Sequence, residues 1–437
     1  MYYLLYCILI FSIIFQDLPG SDALGTYGRV LTLILTPVIF LIYFIMTKKI
    51  SINENIKKFI KLIIYLFIIN VISIAVMYLF MSGNLYSSGE FLPLKTIKGY
   101  TFILINVMFL ILMYNMQKGL NKEKVFYPFY ITYIILFIIL LIELYNPNLL
   151  SIFHSSNQIY YRIRLLTSES SFTSLLIILF FVPSFYYTMY IKNSKVRSII
   201  LIITLIIFIL TTGSKGLIIS LIISLFILVM ISKLKIKTRM LILGVVIIMC
   251  VILGPKILTS ISNDIENYTS VATRVYTICT AIAVSVIYPF GIGNGLYLVI
   301  YKQFLSNHLN LLNQFGLKLN NTEILSMINS NNDYNLAAKS GVFQYGIYWG
   351  IVGTVYFIKI LKDIFIDLKK IHDRKLIIFE LGMIFLIINI VFIINFDVQF
   401  EVFAYLSLMV YISDINKYKG IKEGVKNNES INNLTEL

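Results

Sequence analysis

Apolar runs of about 15 to 22 residues recur from one end of this 437-residue chain to the other, and they constrain its fold more than any motif does. A hydrocarbon layer about 30 Å thick is crossed by roughly 20 helical residues rising 1.5 Å each. Backbone groups inside such a layer must bond within their own segment, so the runs predict helices rather than strands. They fall near 2–15, 29–46, 60–81, 100–116, 126–143, 172–191, 198–211, 215–232, 239–253, 342–358, 376–394 and 402–413. With 59% hydrophobic and only 13% charged residues, most of the surface needs lipid as its solvent. The expected fold is all-α, a single polytopic bundle over 1–414 with about twelve transmembrane helices, followed by a polar tail at 415–437. The tail, rich in Lys, Asn and Ser, predicts disorder. The first run has neither a basic leader nor a small-residue cleavage site, which predicts a retained helix.

A net charge of +15 suits a nucleic-acid binder in principle, but the placement of the charge argues otherwise. Lys48, Lys49, Lys57, Lys58 and Lys61 follow the second run, Lys118, Lys122 and Lys124 the fourth, and Lys192, Lys195 and Arg197 the sixth. The same parity gathers Lys233 to Arg239, Lys359 to Lys375 and Lys417 to Lys426 on one face. Such one-sidedness is a topology signal, and it predicts that both termini are cytoplasmic. Its partner is anionic lipid, and no nucleic acid is implied.

Cys7, Cys250 and Cys279 are too few and too scattered for a disulfide framework or a metal site, and His154, His308 and His372 show no ligand spacing. The informative positions are therefore charges in the segments that avoid lysine. One such segment, 144–171, holds Arg162, Arg164 and Glu169 just before the sixth helix. The other, 254–341, is the one large extracytoplasmic loop expected, and it carries Arg274. Within it the apolar piece 276–290 is short for a span and ends at Pro289 and Gly291, which predicts an interfacial or re-entrant helix. Thr211-Thr212-Gly213-Ser214-Lys215-Gly216 forms a tight turn between two helices, with Lys215 on the lysine-poor side.

Each feature has a plainer explanation. Lys215 fits a snorkelling lysine at a hairpin, Arg162 and Arg164 fit interfacial anchors, and Arg274 fits a loop salt bridge to Asp264 or Glu266. Gly291-Ile292-Gly293-Asn294-Gly295 lacks nucleotide-loop spacing and reads as a flexible break between loop and membrane. Asp17 and Asp22 evoke the acidic first loop of metal-using lipid-sugar transferases, but the loop is short and has no paired-carboxylate motif. His308 reads as solvated.

Taken in order, Arg164-x-x-x-x-Glu169-Ser170, Thr212-Gly213-Ser214-Lys215-Gly216, Pro289-Phe290-Gly291-Ile292-Gly293-Asn294-Gly295 and Gly350-Ile351-Val352-Gly353 resemble the Wzy polymerase and O-antigen ligase family of bacterial polysaccharide assembly. The motifs cover roughly 150–360, and the topology covers the whole chain. The resemblance implies a bundle of about twelve helices that joins glycans carried on undecaprenyl pyrophosphate at the outer face of the bacterial cytoplasmic membrane. It implies that Arg164 or Arg162 is the family arginine and Glu169 the family glutamate, with Ser170 in place of the proline. Ser214 and Lys215 stand for a Ser-Arg turn, and Arg274 for the large-loop arginine. A chain-length regulator and a flippase are implied as partners. Ligases typically carry His-Asn about eleven residues before the second glycine motif; here Lys339 and Ser340 stand there, which favours the polymerase branch.

Transfer from a polyprenyl pyrophosphate needs cations for the departing diphosphate and a base near the acceptor hydroxyl. Arginine binds phosphate oxygens through a bidentate fork and keeps its charge when partly desolvated. Arg274, Arg164 or Arg162, and Lys215 with Ser214 are the expected pyrophosphate-facing groups. Glu169 is the expected general base, or equally an orienting partner for Arg164. No cofactor and no metal is expected. The rival class is a transporter of lipid-linked oligosaccharide, which would place ionisable residues and broken helices at mid-membrane.

Overall fold

The computed structural model describes residues 1–416, apart from 21–24, 82, 88, 156–162, 233, 268–269, 315–321, 330–335, 339, 372 and 393–398. Arg162, Asp22, His372 and the tail from 417 onward lie outside the described residues. The protein is all-α among the described residues except for one small hairpin that pairs Tyr86–Ser87 with Glu90–Phe91.

Nine helices of eleven residues or more run in succession through the first part of the described chain. They are α1 (Tyr2–Ser12), α2 (Leu31–Thr47), α3 (Glu54–Phe80), α4 (Leu92–Lys118), α5 (Lys122–Tyr145), α6 (Ser170–Tyr186), α7 (Lys195–Thr212), α8 (Lys215–Ile231) and α9 (Ile236–Asn267). A π-helical turn, Tyr187–Ile191, prolongs α6. Then come α10 (Ser270–Ile287), α11 (Gly293–Gln314), α12 (Thr322–Asn329), α13 (Gly341–Lys369), α14 (Ile377–Phe392) and α15, residues 400–416. Each apolar run coincides with a helix. Six stretches, Glu54–Phe80, Leu92–Lys118, Lys122–Tyr145, Ser170–Ile191, Lys195–Thr212 and Arg374–Phe392, are long and apolar enough to cross a membrane. Leu31–Thr47 and Lys215–Ile231 are comparably apolar at 17 residues each, the short end of the spanning range of about 17 to 25.

Local chemistry sets the helix ends. Asn53 starts α3 by accepting the Ile56 N–H at 2.8 Å, Asn121 starts α5 by accepting that of Lys124 at 2.9 Å, and Ser214 starts α8 by accepting that of Leu217 at 3.3 Å. Gly213 stops α7 in a left-handed conformation, φ 56°, which a glycine adopts without steric cost.

The lysine-bearing segments meet at one end of the bundle. Lys58 binds Asp363 at 2.6 Å, the Asn55 amide donates to Asp367 at 3.2 Å, and Lys369 Nζ donates to the Ile231 carbonyl at 2.7 Å. The Ser51 N–H donates to Asn115 Oδ1, Lys192 pairs with Glu123, and the Tyr114 hydroxyl donates to Asp414. Segments from α2 to α15 that the charge pattern assigned to one face are thus bonded to one another, and we call this the basic end.

The segment expected as a large loop is mostly helical among its described residues: α9 runs on to Asn267, and α10, α11 and α12 follow. α10 starts beside the last residue of α14, where Arg274 Nη1 donates to the Phe392 carbonyl at 3.3 Å. It ends against Gly350, nine residues into α13 and so about 14 Å from that helix's start at 1.5 Å per residue. The chain turns there, and α11 returns alongside α10, with the Tyr301 hydroxyl donating to the Thr277 carbonyl at 3.0 Å. The pair is a hairpin that reaches part-way along α13 and returns to the same end.

The glycine break at the hairpin's tip is a close-packed crossing, not a flexible joint. Gly291 (φ 88°), Gly293 (φ 76°) and Gly350 (φ 68°) all have positive φ, and Gly350 interrupts α13. A Cβ on Gly291 would meet the Trp349 carbonyl carbon at 2.6 Å, and one on Gly293 would meet Ser73 Cβ at 2.7 Å. The interrupted backbone is satisfied across the crossing: Ile292 N–H donates to the Ile347 carbonyl and Val352 N–H to that of Pro289, both at 3.1 Å. Tyr65 closes it, its hydroxyl lying 2.9 Å from the Phe290 and Trp349 carbonyls.

Candidate functional site

At the end opposite the basic end, three stretches of chain converge on one buried carboxylate. Asp17, just beyond α1, is 1% exposed. Its Oδ1 accepts from Arg29 Nε at 2.8 Å and from Ser155 Oγ at 2.8 Å. Its Oδ2 lies 2.9 Å from His154 Nδ1 and 3.7 Å from Arg164 Nη1. A carboxylate can only accept, so His154 carries its proton on Nδ1. Burial alone would raise the Asp17 pKa, but the hydrogen bonds from His154 and Ser155 and the Arg29 guanidinium outweigh it and hold the carboxyl below its ordinary range.

The loop that supplies Arg164 is fastened on every side. Glu143, on the last turn of α5, accepts the backbone N–H of Arg164 at 3.0 Å and that of Leu165 at 2.8 Å. Leu165 takes a left-handed conformation, φ 49°, in this turn. The Arg164 carbonyl accepts from the hydroxyls of Thr167 and Thr173 at 2.9 and 2.8 Å, which ties the loop to the start of α6. The Gln16 N–H donates to the Leu166 carbonyl at 3.1 Å, and the Gln16 side-chain amide reaches Glu401 on α15 at 2.8 Å. A buried group of both signs results, with two arginines, a histidine and three acids held by backbone as well as side chains.

The expected site residues are distributed around this end. Arg164 is buried, and the carboxylate that meets its guanidinium is Asp17. Glu169, expected as its partner or as the base, instead sits exposed at the start of α6, where its carboxylate accepts from Ser171 Oγ at 3.2 Å. The carboxylates next to Arg164 are Asp17 and Glu143, both absent from the expected set. Ser214 is the N-cap of α8, so its oxygen serves a backbone N–H, and Lys215 is that helix's first residue. Arg274 is exposed on α10 and bound to the last carbonyl of α14. α14 packs against both α6 and α8, so the start of α6, the start of α8 and Arg274 share one end of neighbouring helices. His308, with Nδ1 2.9 Å from the Phe304 carbonyl of its own helix, takes no part.

A signal for the missed residues was present. Glu143 is a carboxylate at the end of an apolar run, and Asp17, Arg29 and His154 are ionisable groups in the lysine-poor segments.

The fold and this charged end together define an all-helical, multi-pass membrane protein with a buried polar centre at the end away from its lysines. The chain matches no protein-family model and no curated protein.

Proposed function

We propose that the protein polymerises a bacterial surface polysaccharide, acting as a Wzy-type enzyme of the O-antigen polymerase and ligase family at the outer face of the cytoplasmic membrane, with both termini in the cytoplasm. It transfers the growing glycan from undecaprenyl pyrophosphate to the sugar end of a new lipid-linked repeat unit. The observation that carries the reading is the grouping of Arg164, Lys215 and Arg274 on the lysine-poor end of neighbouring helices, the end that the positive-inside rule turns outward. Cations on that face suit a diphosphate leaving group, whose developing charge they stabilise in a poorly hydrated setting. Arg274 is the exposed cation of the three, and we assign it the pyrophosphate. Arg164, already neutralised by Asp17, shapes the site instead.

The rival reading, a flippase, draws on the interrupted helix α13 and the hairpin of α10 and α11. In transporters, however, unwound backbone lines a cavity and binds the cargo. Here the carbonyls of Pro289 and Ile347 accept backbone N–H groups and those of Phe290 and Trp349 share the one Tyr65 hydroxyl proton, which makes the crossing a clasp. The test is the purified protein in liposomes with lipid-linked repeat units on the outside. The expected result is a ladder of lengthened glycans, reduced about 100-fold in Arg274→Ala, the usual scale for removing one transition-state charge donor. Single repeat units that appear in the opposite leaflet would establish the flippase and overturn the polymerase.

A further inference from the structure

The transfer requires a proton acceptor, and the built site holds a better-organised one than Glu169. His154 closes the short 3-10 helix Pro147–Phe153 and is 4% exposed, beside a carboxylate that is itself saturated with donors. Asp17 takes hydrogen bonds from Arg29 and Ser155 on one oxygen and faces His154 on the other. It therefore stays ionised, fixes the Nδ1–H tautomer and leaves Nε2 as the nitrogen with a lone pair. A histidine held in this way, with a buried acid orienting the ring and stabilising the imidazolium that forms, is the arrangement that makes a general base. Arg29, Arg164, Glu143 and, through Gln16, Glu401 are the other ionisable groups around the pair among the described residues.

We propose that His154 is the general base of the glycan transfer and that Asp17 is its positioning residue. The inference rests on the polymerase reading above. In the step it serves, the acceptor hydroxyl oxygen forms a bond to the donor sugar's anomeric carbon. The bond from that carbon to the phosphate oxygen breaks, and its electron pair leaves with undecaprenyl pyrophosphate. The hydroxyl proton passes to His154 Nε2.

The substitution that separates chemistry from structure is His154→Asn, whose amide N–H takes the place of Nδ1–H against Asp17 but has no basic nitrogen. In the liposome assay we expect at least a 100-fold fall in turnover, an unchanged KM for the lipid-linked repeat unit and an unchanged unfolding temperature. His154→Gln, a second variant without a basic nitrogen, gives the same readout should the Asn variant unfold. Lengthening at the wild-type rate in either folded variant overturns the inference. If the wild type lengthens glycans, Arg274→Ala does not and His154→Asn does, the polymerase stands and only the base is wrong. A wild type that makes no lengthened glycan overturns the polymerase and the base together.

Discussion

The two ends of the bundle are built on different electrostatic plans. At the basic end, charges pair singly and at least partly in solvent: the Lys58 and Asp363 side chains are 32% and 28% exposed. At the opposite end, Asp17, His154 and Arg164 are nearly sealed, and their partners come from segments more than 130 residues apart in the chain. Water screens the first kind of pair, so its net worth is small. The second kind loses hydration on both partners, and removing one leaves the other as an uncompensated buried charge. A cluster of that kind is weak evidence for stability as such, and its persistence points to a site where fixed charge is needed.

The largest expected effect follows from that asymmetry. Asp17→Asn should cost about 3 to 5 kcal/mol, because the buried donors and cations gathered on Asp17 lose the charge they share. Unfolding of the detergent-solubilised protein by denaturant measures it, and a loss below 1 kcal/mol would erase the distinction between the ends. The same residue gives the comparison a pH signature. Because the folded pKa of Asp17 is depressed, its contribution is fully present above the ordinary unfolded value of about 3.9 and is lost as pH falls through the lower folded value. Unfolding temperature should therefore drop more steeply on acidification below pH 4 in the wild type than in Asp17→Asn.

The glycines allow a similar contrast between two positive-φ positions. Gly213 (φ 56°, ψ 18°) is left-handed helical and Gly350 (φ 68°, ψ 179°) is extended in ψ; a Cβ on Gly350 would run into the Pro289 carbonyl oxygen and the Gly291 nitrogen, whereas nothing lies within 4 Å of one on Gly213. Gly213→Ala should cost about 1 to 2 kcal/mol, the backbone penalty alone. Gly350→Ala adds overpacking against rigid backbone, worth about 1 to 3 kcal/mol more. Equal losses in the two variants would show that the crossing yields easily and is no clasp.

What the sequence makes legible follows from the physics of each feature. Apolar runs and lysine spacing are local in the chain, so the helices and the shared basic end are readable. The hairpin is half readable: 276–290 shows a short apolar helix, but its return limb, Gly293–Gln314, carries Asn, Gln, Lys and His and resembles a soluble loop. The glycine motif at 291–295 suggests flexibility in isolation, and its rigidity depends on a partner glycine at 350 that no local pattern announces. The charged cluster is least readable. Asp17, Arg29, Glu143, His154 and Arg164 are each unremarkable alone, and only the packing of α1, α5 and α6 brings them together. Glu169, nearest Arg164 in sequence, was the natural partner on paper, yet the turn at Leu165 and the start of α6 leave it outside the cluster.

The smallest effect closes the comparison from the other side. Lys58→Ala removes a 2.6 Å ion pair to Asp363 that joins α3 to α13 at the basic end. Both partners retain about a third of their exposure, so the carboxylate left behind stays hydrated and suffers no burial penalty. The expected loss is about 0 to 1 kcal/mol, and it should shrink further in 1 M salt, where the Debye length is about 3 Å. The Asp17 cluster, shut off from the electrolyte, should keep its contribution under the same salt. Denaturant unfolding of the two variants at low and high ionic strength therefore separates the ends directly, and a salt-sensitive Asp17→Asn loss would place that cluster in solvent after all.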